Sequence, residues 1–542
     1  MNDYLQKIIS QSLAQFELDE IPGINLEAPK IESHGDVSTN IAMLLAKPLR
    51  NNPRAIAQLI VDGLSYDDKK VSAVEIAGPG FINFRFSDNY LFDELASIIS
   101  IGDGFGKTSS NKGQKVQIEF VSANPTGPLT VGHGRNAVLG DTISRLMEWT
   151  GAEVDREYYF NDAGRQMRVL GQSVQARYLD QLGKDSQFPE GGYEGEYIKD
   201  IAAELIKEKG SELAETDDWV PFKEKAKEEI FNDISNTLKR MNIHMDSFFN
   251  EHSLYENGDI DSTVSRLRKK GLVYEAEGAT WFKTTEFGKE KDTVLIKSTG
   301  EPTYRLPDIA YHANKLDRGY DLCIDVFGAD HIATYPDVLS GISALGYNPE
   351  QIDVIVYQFV TIVKDGQPFK MSTRKANFIT LDELMDEVGS DVTRFFFLMR
   401  SPNTHLEFDI AQAKEAGDKN PVFYLQYAHA RICSILRKAE EEYSFSGEVQ
   451  LNLLQKDAES SLIKTLFKFP EAIQNAAKAR EPHRLINYLN DVGSAFTTFY
   501  HDCRIMGVED DLAQARIALA STTALVLKNG LTILGITAPE RM

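Results

Sequence analysis

Residues 115–135 read KVQIEFVSANPTGPLTVGHGR, and this stretch decides the fold. Its apolar residues alternate with Gln117 and Glu119, a pattern typical of a β-strand. A loop rich in proline and glycine follows, and helical periodicity then runs from about Arg135 to Gly151. The sequence therefore predicts a strand, a tight loop and a helix in direct succession.

Strands and helices alternate on both sides of this unit, across roughly residues 113–400. Residues 354–363 form another apolar run that predicts a buried strand. Alternating strands and helices are typical of a doubly wound parallel sheet of the Rossmann type. The fold class is therefore α/β in this region.

The two ends of the chain follow other patterns. Before the α/β region, a helical stretch and two alternating segments around Gly78-Pro79-Gly80 predict an α+β N-terminal domain with a hairpin. After it, apolar residues recur at helical spacing and predict an all-helical C-terminal domain. We assign the domains to residues 1–108, 109–405 and 406–542.

Charge and cysteine content narrow the function classes. The chain of 542 residues carries 58 Lys and Arg against 81 Asp and Glu, a formal net charge of −23. This charge excludes a protein that coats nucleic acid by bulk attraction, but it is compatible with RNA binding on a local basic surface. Cys323, Cys433 and Cys503 are too few and too scattered for a disulfide framework or a zinc site, which indicates a reducing compartment.

Targeting and membrane segments are not expected. The first residues lack a basic stretch followed by an apolar one, so no signal peptide is predicted. The most apolar late stretch, residues 517–527, is about 11 residues long, against the ~20 that a spanning helix needs. We expect a soluble protein in the cytoplasm.

The first of two loops suited to phosphate chemistry covers residues 123–135. Its glycines allow the backbone to approach a ligand closely, and the helix behind it offers free N–H groups to an anion. His133 at that helix end is suited to donate to a phosphate oxygen. The alternative is a glycine-rich turn with a solvent-exposed histidine.

The second loop, FKMSTRK at 369–375, lies about 240 residues further along the chain. It follows an apolar strand and precedes residues 380–383, a capping box that predicts a helix start. A basic loop by itself is usually a solvated surface. Its pairing with the first loop indicates a joint phosphate site.

These two loops resemble the two signature motifs of the class I aminoacyl-tRNA synthetases, and the wider sequence resembles the arginyl-tRNA synthetase family. The resemblance covers nearly the whole chain. Besides the loops it includes HGDVSTNIAMLLAK at 34–47, GPGFINFRF at 78–86, EYYFNDAGRQM at 157–167, YRLPDIAYH at 304–312, FGADH at 327–331, NPVFYLQYAHARICSILR at 420–437 and LGITAPERM at 534–542. It implies a tRNA-contacting N-terminal domain, a class I catalytic domain and a helical anticodon-binding domain of the DALR type.

The resemblance implies a two-step reaction. Arginine is activated with ATP to arginyl-adenylate, with release of pyrophosphate, and is then transferred to the 3′-terminal adenosine of tRNA(Arg). Mg²⁺ is expected to accompany ATP, and no prosthetic group is expected. Catalysis would depend on positioning and on charge stabilisation, without a covalent enzyme intermediate.

The resemblance also assigns roles to individual residues. The implied catalytic residues are Thr130, His133, Lys370 and Arg374. The implied ATP-binding residues are Pro125, Thr126, Gly127, Gly132, His133, His331, Lys370, Met371 and Ser372. The implied arginine-binding residues are Glu119, Ser122, Asn124, Tyr304 and Asp308, and the implied tRNA-binding residues are Asn40, Phe81 and Asn83.

Three of these residues have plain structural alternatives. Asp308 matches the position that binds the guanidinium, with Tyr304 one helical turn before it, but it is also compatible with a helix start after Pro307. Glu119 matches a substrate-binding position, but its place in an alternating strand is also typical of a solvent-facing residue. Phe81 is suited to stack on a base, or to pack in the strand core.

The chain departs from the family pattern at three positions. Thr130 stands where the first motif usually has histidine, and Thr373 stands where the second usually has lysine. Lys115 and Lys375 are candidates for the missing cation. Part of the family has a glutamine near Ala329, and this chain lacks it.

Other functions remain as alternatives at this point. Another class I synthetase, such as the cysteine or glutamate enzyme, is disfavoured by the pairing of Tyr304 with Asp308. A non-catalytic RNA-binding relative is supported only by the loss of the first-motif histidine, and a small nucleotidyltransferase would be far shorter. We expect tRNA(Arg), L-arginine and ATP as partners, no membrane contact, and a monomer.

Overall fold

The computed structural model describes residues 1–16, 20–29, 31–364, 366–368, 379–415, 417, 420–443 and 448–542. Its largest sheet has five strands, and three smaller sheets have three strands each. None of the described helices combines the length and the hydropathy of a membrane span.

The first region folds around an antiparallel sheet in the order β1-β3-β2. Its elements are α1 (Asn2–Leu13), β1 (Val37–Thr39), α2 (Ile41–Leu49), α3 (Pro53–Asp62), β2 (Val71–Ala77), β3 (Phe81–Phe86) and α4 (Asp88–Ile101). The expected hairpin is confirmed, because β2 and β3 pair antiparallel from Ala77 and Phe81 outward. The sequence did not indicate β1, because three residues are too few for a readable alternation.

The central sheet is parallel, in the order β11-β10-β4-β5-β6. Its first half comprises β4 (Lys115–Glu119), α5 (Val131–Trp149), β5 (Glu153–Phe160), α6 (Gly164–Gln181), α7 (Glu196–Lys209), α8 (Val220–Arg240) and β6 (Ser247–Asn250). The chain then returns to the other side of β4, so the winding direction reverses between β4 and β10. This reversal confirms the doubly wound α/β class and creates a crevice at the carboxyl ends of these two strands.

The second half of the α/β region carries two small sheets. Its elements are α9 (His252–Glu256), α10 (Asp259–Lys269), β7 (Val273–Ala276), β8 (Ala279–Phe282), β9 (Thr293–Ile296), α11 (Arg305–Asp317), β10 (Leu322–Gly328), α12 (Tyr335–Leu345), β11 (Ile352–Tyr357), β12 (Val360–Lys364), β13 (Gln367–Pro368), α13 (Leu381–Val388), α14 (Ser390–Leu398), β14 (Leu406–Asp409) and α15 (Ile410–Ala413). The small sheets have the orders β7-β8-β9 and β13-β12-β14.

The prediction of a single strand over residues 354–363 is wrong. The run divides into β11 and β12, which belong to different sheets. The break falls at Gln358, whose N–H donates to Pro402 O at 3.0 Å and whose carbonyl accepts from Arg135 Nη1 at 2.5 Å. Because the N–H and the carbonyl of Gln358 both bind groups outside the sheet, the apolar run at 354–363 cannot continue as one strand.

The C-terminal region is helical, as expected. Its helices are α16 (Pro421–Glu442), α17 (Asp457–Leu466), α18 (Phe469–Ala479), α19 (His483–Asp502) and α20 (Asp510–Ile533). The apolar stripe of α19, which includes Leu485, Leu489 and Val492, is fully buried between these helices. Burial of such stripes against one another stabilises a helical bundle.

Arg394 connects three parts of the chain at one buried point. Its guanidinium donates to Leu534 O at 2.9 Å, to Met241 O at 2.6 Å and to Asp141 Oδ2 at 2.6 Å. The Arg394 side chain is 1% exposed, as is that of Asp141. The end of α20, the end of α8 and the middle of α5 are thereby joined through one side chain.

We expect Arg394→Met to lower the free energy of unfolding by about 3–5 kcal/mol, because the buried Asp141 loses its Arg394 partner and keeps only Arg145 and Arg156, while the Leu534 and Met241 carbonyls lose their donor. Urea unfolding followed by circular dichroism measures this change. Arg240→Met is the matched control, because Arg240 is 43% exposed and its ion pairs with Asp382 and Asp386 are worth less than ~1 kcal/mol. Equal urea midpoints for the two variants would contradict the prediction.

Candidate active site

The first loop lies in the crevice at the carboxyl end of β4. This strand is buried on both faces: Val116 and Ile118 on one face are fully buried, and on the other Gln117 is fully buried and Glu119 is 4% exposed. The alternative of Glu119 as a solvent-facing residue is therefore wrong, because a central strand of a parallel sheet has no solvent face. Lys115 lies at the amino end of β4, opposite the crevice, so its candidacy as the missing cation is also wrong.

The helix after this loop begins at Val131, earlier than the expected start near Arg135. The reason is a capping box. Thr130 Oγ1 accepts from the His133 N–H at 3.4 Å, and His133 Nδ1 accepts from the Thr130 N–H at 3.2 Å. These reciprocal bonds satisfy helix-start donors and bring Gly132 and His133 into the first turn.

The cap also sets the protonation of His133. Because Nδ1 accepts a hydrogen bond, the ring proton is assigned to Nε2, which is left to donate. Burial lowers the pKa of His133, so the neutral ring is favoured. The face of Gly132 is open, since the nearest atom to an added Cβ would be Thr130 Oγ1 at 3.6 Å. The helix start thus offers a neutral N–H donor beside a bare backbone surface.

The chain that follows the second loop contacts the first loop directly. Thr380 forms a β-bridge with Thr130, and the Leu381 N–H donates to Leu129 O at 2.8 Å. The capping box expected at Thr380 is present and begins α13. The predicted residues Lys370, Met371, Ser372 and Arg374, together with Thr373 and Lys375, lie outside the described residues.

Asp308 lies in the first turn of α11 and lines a pocket with His312, Phe327 and His331. The helix begins at Arg305 without a side-chain cap, so Asp308 does not serve as one. Its carboxylate accepts no hydrogen bond from any residue that the structure describes. Burial raises the pKa of Asp308 to about 7. A half-buried carboxylate without a donor is suited to bind a cationic ligand.

A buried charge network lies beside Asp308. Lys315 is fully buried and donates to Glu119 Oε2 at 2.5 Å and to Asp325 Oδ1 at 2.6 Å. His312 contacts Asp325 Oδ2 at 2.8 Å through Nε2 and the Asp308 carbonyl at 2.7 Å through Nδ1. Two cations thus balance two carboxylates, and Asp308 is left outside this balance.

His312 is charged in this network, because both ring nitrogens face acceptors and each must donate. Burial acts to lower its pKa, but the charge and hydrogen bond of Asp325 and the charge of Glu119 together raise it. For Lys315, likewise, the attraction of Asp325 and Glu119 outweighs burial and raises the pKa.

Glu251 is a functional candidate that the sequence analysis missed. Its carboxylate accepts from Tyr159 Oη and from Asn161 Nδ2, both at 2.7 Å. Burial raises its pKa, and its charge contributes to the raised pKa of Asp308. Glu251 directly follows β6, and residues at the carboxyl ends of parallel strands commonly form binding sites. The sequence did not indicate β6, because it has only four residues and no clear pattern.

Two further predicted residues are held by side-chain contacts close to Glu119. Ser122 Oγ donates to Glu119 Oε1 at 3.0 Å. Asn124 Oδ1 accepts from the Asn161 N–H at 3.0 Å. Val121 and Ser122 both have positive φ, 65° and 44°. A positive φ at a β-branched residue is strained, and such strain is concentrated at functional sites.

Two other predicted residues lie further out. Tyr304 precedes α11 and is 85% exposed, so its ring does not pack on Asp308 although it lies one turn away. The His331 side chain is half exposed and stacks on Phe327 with ring centroids 5.0 Å apart.

A second site lies in the first region. Asn40, Phe81 and Asn83 line one groove with Gly78 and Pro79, and its volume is about 530 Å³. Phe81 is 40% exposed, so the alternative of a core residue is wrong. Asn40 Oδ1 is buried and has no hydrogen-bond partner among the described residues. An exposed ring beside an unpaired amide oxygen is typical of a site that binds an unstacked base.

The helical region carries an exposed aromatic face. Arg431 lies over the Tyr500 ring at 4.3 Å and over the Tyr427 ring at 6.0 Å. Tyr427 is 41% exposed and Tyr500 is 38% exposed. Tyr424, by contrast, packs against Gly493. Guanidinium and aromatic planes of this kind are suited to stack on bases.

Three family models match successive parts of the chain. They are the arginyl tRNA synthetase N terminal domain at residues 3–86, the catalytic domain of tRNA synthetases class I (R) at 94–405, and the DALR anticodon binding domain at 425–542.

Curated relatives match over the full length. The chain is 54% identical to an arginine–tRNA ligase of Salinibacter ruber over 564 aligned residues, covering 100% of both proteins. It is 52% identical to an arginine–tRNA ligase of Desulfotalea psychrophila, over 95% of this chain and 94% of that protein.

Solved structures agree. A putative arginyl-tRNA synthetase of Campylobacter jejuni has a TM-score of 0.77 at 33% identity and covers 84% of this chain and 100% of its own. The arginyl-tRNA synthetase of Thermus thermophilus has a TM-score of 0.78 at 22% identity over 100% of both chains, and therefore supports the fold.

We expect Asp308→Asn to stabilise the protein at alkaline pH, with a melting temperature about 1–3 °C higher at pH 8. The folded-state pKa of Asp308, about 7, is above the ordinary 3.8, so the unfolded state ionises first as pH rises. The destabilisation caused by the ionised Asp308 carboxylate therefore grows between pH 3.8 and pH 7 and reaches its maximum above pH 7. Near pH 4 the variant and the parent should melt together.

Differential scanning fluorimetry across this pH range provides the measurement. Asp330→Asn is the control, because the Asp330 side chain is 68% exposed. An Asp308→Asn variant that is less stable than the parent at pH 8 would show that the carboxylate has a stabilising partner.

Proposed function

The chain belongs to the arginyl-tRNA synthetase family, and we propose that the crevice between β4 and β10 is where it performs its reaction. It activates arginine with ATP and charges tRNA. The other class I synthetases and the small nucleotidyltransferases are thereby set aside. The roles of individual residues, given below, are the proposal.

The observation that carries the proposed substrate site is the Asp308 carboxylate, half-buried and without a donor among the described side chains. A guanidinium presents parallel N–H groups that match two carboxylate oxygens, which a lysine ammonium cannot do. Glu251, whose charge contributes to the raised pKa of Asp308, would act as a second carboxylate for the same group. Tyr304, whose ring is exposed in this structure, would turn inward over the bound side chain.

The other end of the amino acid would be held near β4. Glu119 would bind the α-amino group, because each carboxylate oxygen accepts more than one hydrogen bond. Among the described side chains, only those of Ser122 and Lys315 donate to it. Ser122 and Asn124 would orient the carboxylate toward ATP. This direction leaves the guanidinium at Asp308.

In the first step, the arginine carboxylate oxygen attacks the α-phosphate of ATP and pyrophosphate leaves. The open face of Gly132 would receive the adenine, and Pro125, Thr126 and Gly127 would line the nucleotide with His331. His133 Nε2–H would donate to a phosphate oxygen as charge develops there. ATP would enter with Mg²⁺, which shields the phosphate oxygens.

Lys370 and Arg374 would neutralise the leaving pyrophosphate, with Met371 and Ser372 beside them. In the second step, a hydroxyl of the terminal tRNA adenosine attacks the adenylate carbonyl, and AMP leaves. No covalent bond to the enzyme forms in either step. Both steps depend on alignment of reactants and on charge stabilisation.

Thr130 has a specific part in this proposal. Its hydroxyl caps α5 and its N–H holds His133 Nδ1. Threonine at this position would therefore act by orienting His133, whereas a charged side chain there would contact the phosphates itself.

tRNA would be bound by the two outer regions. Residues 1–108 would contact an unpaired base in the groove of Asn40, Phe81 and Asn83, and residues 406–542 would bind the anticodon. Residues 109–405 would hold the chemistry. Because one chain carries all three regions, we propose a monomer, in the cytoplasm where its substrates are.

The proposed function is tested by ATP–pyrophosphate exchange with each amino acid in turn, in the presence of tRNA(Arg). Exchange is expected with arginine and with no other amino acid. His133→Ala should lower that rate by roughly 10²–10³-fold, as removal of a preorganised donor does, while the melting temperature falls by no more than about 1–2 °C through the loss of one helix-cap bond. Exchange with another amino acid, or a His133→Ala rate within threefold of the parent, would overturn the site assignment.

His501→Ala is the matched control for the same assay. The His501 side chain is 87% exposed, on the end of α19. Its removal should leave the rate unchanged.

The tRNA groove is tested by Phe81→Ala. We expect KM for tRNA(Arg) in aminoacylation to rise roughly 5- to 100-fold, since stacking on an aromatic ring is worth ~1–3 kcal/mol per base. Leu59→Ala is the control, because Leu59 is 43% exposed in the same region but outside the groove. Equal KM values for the two variants would contradict base stacking on Phe81.

A further inference from the structure

The Thr126 carbonyl in the first loop is held by a tyrosine from the helical insertion between β5 and β6. Tyr197 lies in the first turn of α7, and its hydroxyl donates to Thr126 O at 2.8 Å. The ring also packs against Gly127, where an added Cβ would lie 3.0 Å from the tyrosine oxygen. Tyr193 hydrogen-bonds to the Thr126 side chain. The insertion thus contacts this part of the loop through two side chains.

The Tyr197 contact sets the direction of the peptide plane between Thr126 and Gly127. In a trans peptide, the C=O group and the following N–H group point in opposite directions. Because the Thr126 carbonyl points at the insertion, the Gly127 N–H points away from it. No acceptor for this N–H occurs in the described part of the chain.

The residues just before Thr126 have their own restraints. Tyr158 Oη donates to Ala123 O at 2.7 Å, and the Thr126 N–H donates to Asn124 O at 2.7 Å. These bonds hold the loop as far as the Thr126 nitrogen. Rotation of the next peptide is restrained by Tyr197 instead.

We propose that Tyr197 is a positioning residue for ATP, because it directs the Gly127 N–H toward the bound triphosphate. A backbone N–H fixed in direction before binding contributes more to anion binding than one that must first be ordered. Tyr197 acts through Thr126 and does not contact the nucleotide. The inference rests on the proposed role of the first loop in ATP binding.

The test is Tyr197→Phe, which removes one oxygen and keeps the ring on Gly127. We expect KM for ATP in arginine-dependent exchange to rise roughly 5- to 10-fold, the worth of one hydrogen bond. KM for arginine, KM for tRNA and the melting temperature should stay unchanged. A purely structural role would not produce this split between substrates.

Tyr178→Phe is the matched control. Tyr178 belongs to the same insertion, and its hydroxyl donates to Gly210 O at 2.6 Å, away from the loop. It should leave every KM unchanged. An unchanged KM for ATP in Tyr197→Phe, or a parallel rise in all three KM values with a lower melting temperature, would overturn the inference.

His133→Ala in the same assay separates this inference from the proposed site. If His133→Ala slows exchange and Tyr197→Phe does not raise KM for ATP, only the positioning role of Tyr197 fails. If neither variant changes ATP use, the first loop is not the nucleotide site, and the inference fails with it.

Discussion

The ammonium of Lys315, buried between two carboxylates, is the interaction on which the arrangement of the cleft depends. It joins α11 to the carboxyl end of β4 through Glu119 and to β10 through Asp325. A buried charge is tolerated only when it is paired and hydrogen-bonded, so these three elements hold one another in place. Because Asp308 lies two turns before Lys315 on the same helix, the network also fixes where the unpaired carboxylate lies.

The network separates the carboxylates of the cleft that are paired with cations from those that are not. His312 and Lys315 neutralise Asp325 and Glu119, so the inner carboxylates hold the fold together. Asp308 and Glu251 lack cationic partners among the described residues, and burial raises the pKa of both. A site with two such carboxylates favours a ligand that carries a positive charge and several N–H donors.

On the side of the cleft that we propose binds phosphate, the His133 donor is neutral. The cap between Thr130 and His133 assigns the ring proton to Nε2, and burial favours the uncharged ring. The exit of the second loop pairs with the first loop at Thr130 and Thr380. The helix cap, the tautomer of His133 and the contact between the two loops all involve Thr130. In the proposed site, threonine therefore has a role at the position where the first motif usually has histidine.

The sequence by itself determined the α/β class, the hairpin, the helical end and the family, because these depend on local periodicity and on motifs that a linear pattern displays. It also brought Asp308, Glu119 and His133 forward as candidates through resemblance. Only the tertiary structure decided that Glu119 is buried, that the apolar run at 354–363 divides between two sheets, that Lys115 lies at the amino end of its strand, and that the charge of Glu251 acts on Asp308. Each of these depends on which strands lie side by side and on partners distant in the chain, such as Lys315 and Arg135. Pairing of that kind has no local pattern, since the burial of a side chain is a property of its neighbours in space.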